Sequence, residues 1–191
     1  MSTTDLALAA AWLAQVEIRL AEHRDLPALE WEGAYTHFRR VYARAFERTQ
    51  RGEALLWVAD RGDGYLLGQL FVLLASEVEP LVADGRHCAF IYSFRVRPEF
   101  RGAGLGTRLM AVAEADLLQR GFRQAYLHVA HDNLGAMRLY KRLGYRRRAS
   151  VSGDWSYEDH QGETRQVHEP GWRMGKLLSP AQVTPLSLPL P

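Results

Sequence analysis

The alternation of apolar and polar positions divides the chain into short strand-like and helix-like runs. Leu55 to Asp60 and Tyr65 to Leu74 alternate or run apolar, and Arg61-Gly62-Asp63-Gly64 separates them, so the pair reads as a β-hairpin. Ala89 to Val96 is aromatic and β-branched and predicts a buried strand. After it the period changes. Leu105, Leu109, Val112, Ala113 and Leu117 recur on one helical face, which predicts a helix over Thr107 to Arg120. Ala125 to Val129 is again a strand. Ala136, Leu139, Tyr140 and Leu143 then form a helical stripe, with Asn133 or Asp132 available as N-cap and Gly144 as a left-handed terminator.

The junction between the first of these strands and its helix carries candidate chemistry. Arg101-Gly102-Ala103-Gly104-Leu105-Gly106 follows Val96-Arg97-Pro98. Glycines let a backbone approach a ligand with no Cβ in the way. The unpaired N–H groups opening the helix carry partial positive charge, which suits a phosphate, and Arg101 adds a full charge. The turn therefore predicts a pyrophosphate cradle. It lacks the lysine of a nucleotide-triphosphate loop, and its glycines run G-x-G-x-G, not the G-x-G-x-x-G of a dinucleotide site.

The pattern Arg-x-x-Gly-x-Gly after Val-x-Pro resembles the acetyl-CoA-binding motif of the GNAT superfamily of N-acetyltransferases. The later run Asn-x-x-Ala-x-x-Leu-Tyr-x-x-Leu-Gly-Tyr, Asn133 to Tyr145, resembles that family's second motif at the expected distance. The resemblance covers roughly residues 15 to 178. It extends to an opening strand and first helix over Val16 to Leu29, a second helix over Tyr35 to Gln50, and closing strands over Tyr145 to Val151 and Trp172 to Leu178. It implies an α/β GNAT fold, with a mixed, mostly antiparallel sheet of about seven strands, splayed between the fourth and fifth, and about four helices. Residues 1–178 would form one domain, followed by a proline-rich tail, 179–191.

The resemblance also implies roles. The backbones of Phe94 and Val96, with Arg95 between them, would bind the pantetheine arm and polarise the thioester of acetyl-CoA. Arg101, Gly102, Ala103, Gly104, Leu105 and Gly106, with Thr107 in the first helical turn, would hold the pyrophosphate. Asn133, with Ala136, would hold the arm, and Tyr140 would protonate the leaving thiolate. Many members place a glutamate in the strand before the second motif. Here the triplet is Leu127-His128-Val129, so His128 is the candidate base, as imidazole titrates near neutral pH. A water chain past Tyr92 and Ser93 is the other candidate.

Composition changes this picture little. The chain has 191 residues, 47% hydrophobic and 24% charged, as in an ordinary single soluble domain. No apolar run approaches a membrane span, and the start lacks a signal-peptide layout, so a cytoplasmic protein is expected. The lone Cys88 excludes an internal disulfide, and no metal cluster is evident. A net charge of +2 does not imply nucleic-acid binding. Lys141 and Lys176 are the only lysines, which suggests a GC-rich bacterial source. Arg138, Arg142, Arg146, Arg147 and Arg148 form a basic patch beside the expected cofactor site. Four of the eight prolines fall in the tail, a candidate for docking on its own domain or on a second copy in a homodimer.

The expected acceptor is a primary amine, on a small molecule or on a protein N-terminus or lysine. Asp154, Glu158, Asp159, Glu163 and Glu169 in the segment Ser152 to Pro170, with Glu77, Glu79 and Asp84, would offer acidic walls to a cation. Trp31, Tyr35, Trp155, Tyr157 and Trp172 are candidates for an apolar subsite. A non-catalytic acyl-CoA-binding module is the alternative reading.

Overall fold

The computed structural model describes residues 12–180. The elements run α1 (12–15), β1 (Glu17–Leu20), a 3-10 segment (His23–Glu30), α2 (Arg39–Gln50), β2 (Ala54–Asp60), β3 (Leu66–Leu73), β4 (Cys88–Val96), α3 (Leu105–Gln119), β5 (Gln124–Ala130), α4 (Leu134–Arg142), β6 (Arg146–Val151), β7 (Asp154–Glu158), β8 (Thr164–His168) and β9 (Gly171–Leu177). Seven strands form one sheet in the order β1-β2-β3-β4-β5-β9-β6. Only the β4–β5 pairing is parallel.

Central strands β2 and β3 are buried almost throughout because both faces of the sheet are covered. On one face Leu67, Leu70, Ala89, Ile91, Leu127 and Val129 pack with the apolar stripes of α3 and α4. On the other, Leu56, Val58 and Phe71 pack with Leu29 and with Tyr42 and Ala45 of α2. The hairpin expected at Arg61–Gly64 is closed by Asp60, whose carboxylate accepts from the amides of Gly62 and Gly64 at 2.8 and 3.3 Å.

The structure corrects two expectations. The first helix expected before Leu29 is a 3-10 segment. Pro27 inside it lacks an N–H, and Asp25 is drawn back to the Glu22 amide at 2.7 Å and to Arg19. The acidic segment Ser152 to Pro170, read as a loop, holds a separate two-stranded hairpin, β7–β8. Its sequence, DWSYE and TRQVH, has almost no buried positions, so a core-facing stripe was missing from the pattern. The sequence-level reading of the tail and of residues 1–11 falls mainly outside the described residues.

Candidate active site

β4 and β5 pair only from Cys88–Gln124 to Ile91–Leu127. β5 continues along β9 as far as Ala130 and β4 continues along β3 to Val96, so the two strands part and open a wedge between them. The divergence begins at a bulge. Ser93 has φ 47°, and the β3–β4 register shifts between Gln69 and Phe71. A bulge rotates the strand locally and changes which face the following residues point to. Before it, Phe90 and Tyr92 face α2 and Ile91 faces α3. After it, Phe94 and Val96 join the α3–α4 core, and Arg95 faces α2.

The glycine turn lies at the mouth of the wedge. Gly102 and Gly104 have φ of 82° and 95°, and a Cβ would meet nothing within 4 Å at Gly102 and only Leu13 at 3.7 Å beside Gly104. These glycines answer to backbone conformation. Gly106 has a different reason: a Cβ there would press on the Phe94 ring at 3.2 Å and on Leu139 at 3.6 Å, so it lets α3 approach the splayed strand. The first bond of the α3 ladder is Arg108 N–H to Gly104 O at 3.0 Å. The amides of Gly102 through Thr107 donate to no acceptor among the described residues. They form an open row of donors at a helix start, which fits a pyrophosphate. Arg101 reaches back to the Val96 carbonyl at 2.8 Å, and its exposed guanidinium stays beside that row.

α4 forms the second wall. Asn133 caps it, its Oδ1 accepting from the Ala136 amide at 3.1 Å. The Asn133 side-chain NH2 donates to no acceptor among the described residues, so capping and holding a polar arm are compatible. Tyr140 is 6% exposed and its ring lies 6.3 Å from that of Phe94. Its hydroxyl has no hydrogen-bond partner among the described residues, and burial holds its pKa well above the usual phenol value. Such a phenol is a proton donor, never a base, near neutral pH. Tyr145 packs beside it at 6.0 Å and donates to Glu114 at 2.9 Å, while Lys176 donates to the other carboxylate oxygen at 2.6 Å. This buried cluster anchors the wall that carries Tyr140.

His128 sits across the sheet, on the α2 face. Its ring meets Phe90 edge-on at 4.8 Å, and its Nε2 accepts from Arg173 Nε at 3.2 Å. Partial burial first, and the Arg173 charge second, hold its pKa below the ordinary value of 6.5. Neutral imidazole is therefore the resting form; because Nε2 accepts from Arg173, the ring hydrogen is on Nδ1, and His128 takes a proton only where Arg173 releases Nε2. Tyr92, with burial pushing its pKa up to about 12, offers no base. Tyr140 and His128 thus face opposite sides of the sheet.

Most of the expected acidic walls are already paired. Glu158 is paired with Arg40 and Arg44, Asp159 with Arg165 at 2.7 Å, and Asp154 with His168. Asp84 is held by three amides of its own loop, and Glu79 lies 3.7 Å from Arg173. What faces α2 instead is aromatic. Trp155 and Tyr157 of the β7–β8 hairpin pack on Phe38, at 6.2 and 4.8 Å, and Tyr35 lies alongside. Trp31 joins the edge of this cluster, its ring edge-on to Tyr35 at 5.3 Å and against Arg97, whereas Trp172 lies against Arg147. The Arg95 side chain turns away from the glycine cradle into this cluster, so only its backbone stays at the wedge. Sequence reasoning missed the role of the hairpin, and the one available signal was the Trp155-x-Tyr157 alternation. Among the described residues, no helix is long and apolar enough to cross a membrane, and no group of three or more His, Cys, Asp or Glu could hold a metal.

The sequence profile of the acetyltransferase (GNAT) family matches residues 19–145. Among curated proteins, an uncharacterized N-acetyltransferase of Methanocaldococcus jannaschii is 41% identical over 70 residues, covering 37% of this chain and 31% of its own. A mycothiol acetyltransferase of Cellulomonas flavigena is 32% identical over 130 residues, covering 59% of this chain and 37% of its own. The chain thus spans about a third of the length of these curated relatives. Ard1 from Thermoplasma volcanium superposes with a TM-score of 0.64 at 18% identity, covering 86% of this chain and 99% of that one. Arabidopsis thaliana NAA60, solved with acetyl-CoA, superposes at 0.60 and 22% identity, covering 85% and 98%. These two similarities are ones of fold.

Proposed function

Because the chain belongs to the acetyltransferase (GNAT) family, we propose that it moves an acetyl group from acetyl-CoA to a primary amine by direct attack in a ternary complex. The observation that carries this reading is Tyr140, a buried phenol with no described partner, set against Phe94 in the wedge beside an open row of amides. Binding alone would not need a proton donor there.

In the proposed reaction, the amides of residues 102–107 hold the pyrophosphate and the freed edge of β4 around Phe94 to Val96 holds the arm. Backbone N–H groups of that edge polarise the thioester carbonyl and stabilise the oxyanion. The neutral amine attacks the carbonyl carbon, and the C–S bond breaks as the tetrahedral intermediate collapses. Tyr140 gives its proton to the departing thiolate. The proton lost by the amine goes to His128, or to water passing Ser93.

The closing experiment is an amine panel with acetyl-CoA, read as free thiol. Release with at least one amine supports transfer. A silent panel together with tight CoA binding favours the non-catalytic acyl-CoA-binding module.

Two further outcomes follow from the geometry. Gly104→Val forces a branched residue into the left-handed region, at a cost of about 1–2 kcal/mol, and turns the adjacent amides. Acetyl-CoA affinity should fall about tenfold or more. Unchanged affinity by calorimetry, in a variant with the parent melting curve, would remove the turn from the cradle.

For His128 the working form is neutral, so activity is present above its pKa and lost as pH falls through it. That limb of the kcat/KM profile should lie below pH 6.5, because the pKa is depressed. His128→Ala should abolish the limb and cost about a hundredfold, the low end for a positioned base. Arg173→Met removes a charge that depresses the pKa, so the limb should move up. A limb that ignores both changes places the base elsewhere.

A further inference from the structure

Arg95, in β4, has no counter-ion among the described residues. Arg19 meets Asp25 at 2.6 Å, Arg97 meets Glu32 at 2.7 Å and Arg173 approaches Glu79 at 3.7 Å. Arg95 meets no carboxylate among the described residues. Its surroundings hold it firmly all the same. The guanidinium carbon lies 4.2 Å from the centroid of Tyr35 and 5.0 Å from that of Phe38, and one terminal nitrogen donates to the Tyr42 hydroxyl at 2.9 Å. The rings fix the plane of the group and Tyr42 occupies one corner. The edge formed by Nε and the second terminal nitrogen has no described partner. That edge has the geometry that grips a carboxylate through two parallel hydrogen bonds.

The setting points the same way. Gln69, directly across from Arg95 in the β3–β4 register, is fully buried, and its amide lacks a well-formed hydrogen bond beside Tyr42. The carboxylates nearest this face are spoken for: Glu158 by Arg40 and Arg44, Glu30 by Arg39 at 2.6 Å, Asp159 by Arg165. His37, in the same cluster, has its pKa lowered by burial and then by Arg95, so it stays neutral and adds no charge of its own. The local field is positive, and the walls are aromatic. Arg95 also follows Phe94 in the chain, and neighbouring strand residues point to opposite faces. Phe94 reaches toward Tyr140, so Arg95 reaches into the side from which an acceptor would approach.

We propose, on the basis of the acetyl-transfer reading, that the acceptor is an amine bearing a carboxylate, and that Arg95 binds this carboxylate beside the aromatic cluster to which the β7–β8 hairpin contributes Trp155 and Tyr157. This reverses the acidic-wall expectation of a purely cationic acceptor. Arg95 is then a specificity-determining residue, and Tyr35, Phe38 and Tyr42 orient it.

The test compares acids with their own amides. Phenylalanine against phenylalaninamide, and 4-aminobutyrate against 4-aminobutyramide, are titrated by calorimetry into the CoA-saturated protein, where no acetyl group is present to transfer. At least one acid should bind about tenfold tighter than its amide, as expected for a charge-assisted pair. Arg95→Gln should bring the two to parity, and Arg95→Lys should keep only part of the preference because it loses the fork. Acids that bind no better than amides in the parent overturn the proposal, whether or not either variant folds. So does a preference that survives in a folded Arg95→Gln protein. Turnover separates the two readings. Acids that bind but release no thiol with acetyl-CoA argue against catalysis and leave the Arg95 assignment standing. Uncharged or cationic amines that are acetylated while acids fail to bind do the converse.

Discussion

Tyr140→Phe is expected to lower kcat ten- to a thousand-fold while leaving acetyl-CoA affinity nearly unchanged. The substitution keeps the ring, and with it the packing on Phe94 and Tyr145. It removes a hydroxyl that makes no hydrogen bond to any described residue, so little stability is at stake. What is lost is the proton for the thiolate. A thiol ionises near 8.5, so the thiolate can leave unaided, which keeps the effect of about 10–10³ toward the low side of general-acid contributions. Steady-state kinetics with calorimetry on the same preparation decides the matter. If kcat holds and CoA binding collapses, Tyr140 is a binding residue and the proton comes from elsewhere.

A large effect on stability is expected behind that wall. Lys176 and Glu114 form an ion pair at 2.6 Å with side chains only 7% and 6% exposed, and Tyr145 donates to the same carboxylate. Removing one partner of a buried pair leaves an uncompensated charge and costs about 3–5 kcal/mol. Lys176→Met should therefore lower the unfolding free energy by about that amount in denaturant titrations. Replacing both partners, as Glu114→Leu with Lys176→Met, should recover part of it, because no charge is stranded, while the Tyr145 hydroxyl loses its acceptor at about 1–3 kcal/mol. A single variant within about 1 kcal/mol of the parent would mean that water already reaches the pair. Since Tyr145 braces Tyr140, the single variant should also lose more activity than stability alone explains.

Much of the architecture was legible because it is written in local periodicity. The β2–β3 hairpin, β4, α3, β5 and α4 each carry an apolar stripe or run of the right period, and the observed boundaries lie within a few residues of those read from the pattern. The glycine turn and the Asn133 cap were legible for the same reason: backbone conformation and capping depend on a few adjacent residues. The opening helix, implied only by the resemblance, is a 3-10 segment because one proline and one inward-facing aspartate decide the local backbone. The β7–β8 hairpin was invisible because it buries little, and so leaves no pattern.

The sequence by itself determined the β2–β3 hairpin, β4, α3, β5 and α4, the donor row at α3 and the positions of Tyr140 and His128 along the chain. Only the tertiary structure decided where charges and faces meet. The insertion of β9 between β5 and β6 sets Arg173 against His128 and Lys176 near Glu114, contacts 45 and 62 residues apart in the chain. The bulge at Ser93 turns Phe94 to one face and Arg95 to the other. Several of the acidic residues that composition offered to a cation proved to be held by arginines or by loop amides, as Glu158 is by Arg40 and Arg44 and Asp84 by its own loop. Periodicity reports which residues lie on the same side of one element. Ion pairing and site polarity depend on distances across elements, which no local pattern encodes.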